Sequence, residues 1–226
     1  MKNSKSGNPT LIRSYLELRR AVGYIGMALP ALLLIGKIVL EGAGIEPSIS
    51  DYYYTVMGDV FVGSLFAIGV FLWSYEGYED GPDNRIGNIA CIGAVGTALF
   101  PTAPDAPGQV QEIIGYFHYL FAVGFLGSLA YFSLFLFTRT GAGKPTREKR
   151  LRNRIYRLCG YAIAGSIVAM IVFIATKRLF HYSVSERLDV IFWLETIAVM
   201  SFGFSWIVKG RVLFRDQKGQ NGNQHA

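Results

Sequence analysis

Six runs of mainly apolar residues, separated by short polar stretches, constrain this chain more than any other feature. They cover residues 21–40, 56–75, 86–100, 113–137, 158–176 and 188–208. A helix crossing a hydrocarbon core of ~30 Å needs about 20 such residues. The third run is short, and the fourth is long enough to require tilt or a start outside the core. Lipid cannot satisfy an open sheet edge, so a helix is the expected form of every run. The chain therefore reads as all-α, a polytopic transmembrane bundle of six spans over residues 21–208. A polar N-terminal segment, 1–20, precedes it, and a disordered tail, 209–226, follows. The polar start and the length of the first run favour a retained anchor over a cleaved signal.

Composition agrees with this class. Hydrophobic residues make up 51% of the chain, charged residues only 17%, and mean hydropathy is +0.32. Soluble domains carry roughly 25% charged residues, so an ordinary soluble globule, a disordered chain and a nucleic-acid binder are all disfavoured. Two cysteines exclude a disulfide framework and a thiolate metal site.

The net charge of +6 is explained by where the basic residues fall. Five Lys and Arg precede the first run, one lies in the second loop, eight in the fourth and four in the tail, which makes eighteen. The first and third loops have none, and the fifth has three. Lys37, inside the first run, can snorkel toward its end. Basic residues concentrate on the cytoplasmic side of membrane proteins. Both termini are therefore expected inside, in a cell membrane (the inner membrane of a bacterium), and the high pI needs no nucleic-acid partner.

The fourth loop, 138–157, is the most charged stretch. Its Gly143-Lys144-Pro145-Thr146 is not a phosphate loop, because Pro145 occupies the position of the required Ser or Thr and Thr138 that of the first glycine. The loop reads as a topology signal and a solvated linker. Arg147, Lys149, Arg150 and Arg152 are its candidates for contact with anionic lipid, at roughly 1 kcal/mol per basic residue near the surface. Glycine recurs in every run, without a Gly-x-x-x-Gly pair inside one, which points to packing within the monomer rather than to a dimer motif.

The outer side carries the chemistry. Ionisable groups within spans are costly and usually face a bundle interior or a wet cavity. Asp59, His118 and Glu195 all fall in the outer halves of their runs, and His118 and Asp59 are expected to be the closer partners. Ser50, Asp51 and Tyr52 precede the second run, and Pro101 marks the exit from the third. These seven residues form one candidate ligand-binding cluster, with the 50–54 stretch and Pro101 as its rim. His181 is a further candidate on the last outer loop. Tyr52, Tyr53, Tyr54, Tyr116 and Tyr119 also fit an interfacial aromatic belt. Asp59 has a possible structural partner in Lys37. The chain has no His-Glu-x-x-His pair and no Gly-x-Ser-x-Gly elbow, so neither a zinc hydrolase nor a serine hydrolase is indicated, and no metal or cofactor is expected.

Three stretches resemble a known group. They are Phe100-Pro101-Thr102 followed by His118, Ser48-Ile49-Ser50-x-Tyr52-Tyr53, and Phe202-Gly203-x-Ser205-Trp206-x-x-Lys209-Gly210. Together with the six runs, over about residues 20–210, they resemble uncharacterised six-span membrane proteins of bacteria and archaea. That group is similar to the eukaryotic DRAM and GPI-lipid-remodelling membrane proteins. The resemblance implies a helical bundle and a lipid-related role, and it supplies no catalytic mechanism. The reading is a non-enzymatic membrane protein with an outer pocket for a lipid headgroup or small polar ligand. Its alternatives are a membrane-embedded hydrolase or lipid-modifying enzyme at the same place, and a small transporter. A transporter would need a polar path through the inner half, and the runs offer little of one.

Overall fold

The computed structural model describes residues 9–42, 44–75, 81–104, 106–140, 145–180 and 189–210. All regular structure among them is helical. Six long helices follow one another: α1 (Pro9–Glu41), α2 (Gly58–Trp73), α3 (Asp83–Leu99), α4 (Gln109–Tyr131), α5 (Arg147–Phe180) and α6 (Val190–Lys209). A short 3₁₀ turn, Ser50–Tyr54, precedes α2, and a π-turn, Phe132–Leu136, extends α4.

Local chemistry sets the helix ends. Pro9 opens α1, where its fixed φ suits a first helical position and its missing N–H costs nothing. Gly42, at φ +68°, ends it and donates its N–H to the Ile38 carbonyl at 3.1 Å. Pro101 stops α3, because a residue before proline is pushed out of the helical region, and Phe100 is extended at φ −108°, ψ 96°. Thr146 caps α5 by accepting the Lys149 N–H at 3.1 Å. Two expected boundaries shift accordingly. The segment 1–20 is helical from Pro9, and the fourth loop is not a linker throughout, since its second half is the first turns of α5.

Each helix packs on its neighbours in the chain, and α6 closes on α1, so the six make a ring. The interior is filled by large residues such as Leu33, Leu72, Leu129, Phe132, Phe202 and Trp206, all nearly inaccessible. Glycine sets the closest approaches. A Cβ on Gly203 of α6 would lie 2.6 Å from the Met27 nitrogen and 2.7 Å from the Gly23 oxygen of α1. One on Gly93 of α3 would lie 2.7 Å from the Phe125 nitrogen of α4. The expected intramonomer role of the glycines is thus visible as backbone-to-backbone contact.

The outside of the ring is apolar. Ile35, Val39, Val70, Ile92, Leu120, Leu158, Val168 and Val172 are all exposed, on five different helices. Soluble monomers rarely expose contiguous apolar surface on this scale. Four helical stretches are long and apolar enough to cross a membrane: Leu16–Glu41, Gln109–Leu136, Arg147–Thr176 and Val190–Lys209. Helix α2 is apolar but has only 16 residues, and α3 has 17. At 1.5 Å per residue these two span about 24–26 Å, less than a ~30 Å core. At one end of the ring their missing length is made up by irregular chain, the 3₁₀ turn before α2 and the Phe100–Thr102 turn after α3.

Candidate functional site

The two ends of the ring are chemically distinct. The end holding the 3₁₀ turn is the place where most of the expected polar cluster assembles. Ser48, Ile49, Ser50 and Tyr52 are buried there, although the segment is not an α-helix. Buried irregular backbone needs partners for its N–H groups, and Glu195 of α6 supplies them. Its Oε2 accepts the Ile49 N–H at 2.6 Å, and the Ser50 amide and hydroxyl also face the carboxylate. The Phe192 N–H donates to the Pro47 carbonyl at 3.0 Å, a second tie to α6. Ser48 Oγ accepts the Asp51 N–H at 3.0 Å, which closes the turn.

Asp51 links this turn to the other side. Its Oδ1 accepts the Thr102 hydroxyl at 2.7 Å, and Tyr54 donates its hydroxyl to the Thr102 carbonyl at 2.5 Å. His118, 2% exposed on α4, lies with Nδ1 2.7 Å from the Phe100 carbonyl oxygen, so this nitrogen carries the proton and donates. The Thr97 carbonyl also faces the imidazole. Asp51 lies within electrostatic reach of both His118 and Glu195. Pro101 sits, half-buried, in the turn between Phe100 and Thr102. Six of the seven expected residues therefore meet at one end: Ser50, Asp51, Tyr52, Pro101, His118 and Glu195.

Asp59 does not join them. It is exposed in the first turn of α2, because the buried face of that helix runs through Phe61, Leu65, Ile68 and Leu72 and leaves Asp59 off it. There it faces the positive end of the helix dipole, a favourable place for a carboxylate. The expected pairing of Asp59 with His118 is not seen; the carboxylate within electrostatic reach of His118 is that of Asp51. Lys37 does not pair with Asp59 either; it is buried, and its Nζ reaches past the end of α1 to bond Glu46 Oε1.

Tyr52 also departs from the belt expectation. It is fully buried, with its ring centroid 6.1 Å from that of Phe192. Tyr54, Tyr116 and Tyr119 are exposed, as belt residues would be. His181 lies outside the described residues. Among the described residues no group of three or more His, Cys, Asp or Glu is placed to hold a metal ion.

The opposite end gathers the basic residues. Arg20 Nε donates to the Gly210 carbonyl at 3.1 Å, joining α1 to the end of α6. Asp83, 1% exposed at the start of α3, pairs with Arg139 at 3.0 Å. The four arginines and lysines expected to meet lipid divide into two pairs. Arg147 and Arg150 are exposed, whereas Lys149 is half-buried and Arg152 is 8% exposed. Lys149 donates to the Phe137 carbonyl at 3.0 Å, and Lys209 lies 4.9 Å from the centre of the Phe137 ring. Arg19 stacks over Tyr75 at 5.1 Å. Arg19, Lys209 and the Asp83–Arg139 pair were not singled out by sequence pattern; the only hint is that Lys209 falls within one of the resemblance stretches.

No protein-family model matches the chain, and no curated protein or solved structure matches it.

Proposed function

We propose that this is a six-span membrane protein with both termini cytoplasmic, and that the Asp51–His118–Glu195 end is an outer-facing site for a lipid headgroup or small polar ligand. The support for the orientation is the basic residue count, which puts the Arg19–Lys209 end inside. Helices α2 and α3 serve as the two short spans, their depth completed by the buried turns beside them.

The observation that carries the ligand reading is the burial of irregular backbone together with two carboxylates. Non-helical chain at membrane depth is tolerated where it is enclosed by protein or lines a polar cavity, and such segments build the substrate sites of transporters. Asp51 and Glu195 bring two carboxyl groups into mutual reach at this end. A ligand that donates hydrogen bonds or carries positive charge is matched to this pair of acceptors, and the exposed Tyr54 ring lies beside them. The resemblance stretches containing Ser48–Tyr53 and Phe100–His118 fall in this same cluster, which is consistent with a headgroup role.

Two experiments test the two parts. In a chain lacking Cys91 and Cys159, single cysteines at Asp105 and Ser183 should react with a membrane-impermeant thiol reagent in intact cells, and one at Gly143 only after permeabilisation. The reverse pattern would invert the orientation. For the site, mass spectrometry of extracts from gently purified protein should find a bound polar molecule or lipid. Asp51→Asn and His118→Gln should lose it with thermal unfolding unchanged. If nothing is bound, or the molecule disappears only when the fold does, the cluster serves packing alone.

A further inference from the structure

An interfacial aromatic belt asks only that tyrosine rings lie at headgroup depth. It does not ask that two rings be set against each other beside a carboxylate, as Tyr53 and Tyr54 are beside Asp51. The two ring centroids are 5.1 Å apart and the planes stand at 78°. Tyr54 is 53% exposed and Tyr53 half-buried, so this aromatic corner stands at the surface. Residues i and i+3 eclipse in a 3₁₀ turn. Asp51 and Tyr54 therefore project from one face of the Ser50–Tyr54 turn, and both end on Thr102. Tyr54 donates its hydroxyl to the Thr102 carbonyl at 2.5 Å, and the Thr102 hydroxyl donates to Asp51 Oδ1 at 2.7 Å. Ring and carboxylate are thus held side by side by the turn itself and by one residue of the α3–α4 connection.

A tyrosine ring carries negative potential on its face and attracts a cation lying within about 6 Å of its centroid. The 5.1 Å spacing lets a single cation meet both rings at that range. Asp51 commits Oδ1 to Thr102, and an ionised carboxylate has about four acceptor sites, so it can take a further donor or charge. An anion would meet this carboxylate as a like charge, whereas a positive group is attracted by all three side chains. We infer that the Tyr53–Tyr54–Asp51 corner binds an organic ammonium group. Val56 and Val60 follow the corner, exposed, where α2 begins, and offer apolar surface to an acyl chain. The same chemistry is offered by the headgroup of an ammonium-bearing phospholipid and by a free amine such as choline. The inference rests on the reading of this end as a ligand site, and it names the charge and chemical class of the ligand.

The test uses the full chain in a neutral maltoside detergent. Micelles doped with phosphatidylcholine are compared with micelles doped with diacylglycerol of the same acyl chains. Choline chloride is compared with its uncharged carbon analogue, neohexyl alcohol, in sodium chloride of equal ionic strength. Thermal unfolding and native mass spectrometry are the readouts. Phosphatidylcholine should raise the unfolding temperature and stay bound, and diacylglycerol should do neither. Stabilisation by choline as well assigns the corner to any bearer of the group; stabilisation by the phospholipid alone assigns it to lipid. Tyr54→Leu should weaken binding about fivefold, the loss of one exposed cation–ring contact. Tyr54→Phe gives up the same hydroxyl bond but keeps the ring, and should bind as the native chain does. Asp51→Asn keeps an oxygen for the Thr102 hydroxyl and should weaken binding about tenfold. If Asp51→Asn does not fold, the contrast between Tyr54→Leu and Tyr54→Phe decides the matter alone. Equal effects within both pairs of probes would overturn the inference, and so would equal losses in Tyr54→Leu and Tyr54→Phe. A co-purifying molecule that lacks an ammonium group and is lost in Asp51→Asn would overturn it while leaving the ligand reading of this end in place. Failure of every probe, with nothing co-purified, would overturn both.

Discussion

Replacing Gly203 by Leu is expected to cost about 3 kcal/mol of stability, the upper part of the usual range for overpacking a close contact. The Cβ alone would stand 2.6 Å from the Met27 nitrogen and 2.7 Å from the Gly23 oxygen. Both are backbone atoms of α1, so no side chain can turn aside to make room. Relief requires α1 and α6 to separate along the seam that closes the ring. Gly203→Ala should show the same effect in smaller degree. Gly165 of α5 supplies the control, since a Cβ there meets nothing within 4 Å. Gly165→Ala should be neutral or stabilise by up to ~1 kcal/mol through helix propensity. Thermal unfolding of the three variants in one detergent checks the ordering. Equal stability of Gly203→Leu and the native chain would show that α1 and α6 do not meet as described.

The helices were legible because hydropathy alone marks them. The runs at 21–40 and 188–208 became α1 and α6 within a few residues at their apolar ends. What hydropathy does not carry is rotational phase. Asp59 lies in an apolar run as Glu195 does, but the phase of α2 is set by Phe61, Leu65, Ile68 and Leu72, and that leaves Asp59 outward. The same limit hid the inward turn of Lys149 and Arg152 beside the outward Arg147 and Arg150, since all four belong to one charged stretch. The polar cluster was legible in its members but not in its wiring. Ser48–Tyr54 reads as a loop, and nothing in its residue types announces that a 3₁₀ turn buries Tyr52 and hands two amides to a carboxylate about 145 residues away, a pairing that belongs to tertiary packing. Likewise, a π-turn is an extra residue in a helix and has no composition of its own, so the packing of Phe137 on Trp206 and Tyr156 was invisible before the structure.

Removing the Glu195 carboxylate should release that turn. The Ile49 N–H donates to it at 2.6 Å, and the Ser50 amide and hydroxyl face it. Ile49 and Ser50 are 3% and 6% exposed, so water does not readily replace the lost acceptor. An orphaned buried donor costs about 1–3 kcal/mol, more when the lost partner was charged. Glu195→Ala is therefore expected to destabilise by roughly 3 kcal/mol, with the damage concentrated in one segment. Glu195→Gln should fall between, because its carbonyl oxygen can still accept from Ile49 while its NH₂ opposes the Ser50 amide. Hydrogen–deuterium exchange separates local release from general loosening. Peptides covering 48–55 should exchange faster in Glu195→Ala, whereas those from the middle of α3 and α5 should not change. The Thr102 hydroxyl bond to Asp51 crosses to the α3–α4 turn, so partial loosening should reach residues 100–104 and go no further along those helices. Native-like protection of 48–55 without the carboxylate would mean that the turn is held by its aromatic packing on Phe192, and that Glu195 is free to serve a ligand rather than the fold.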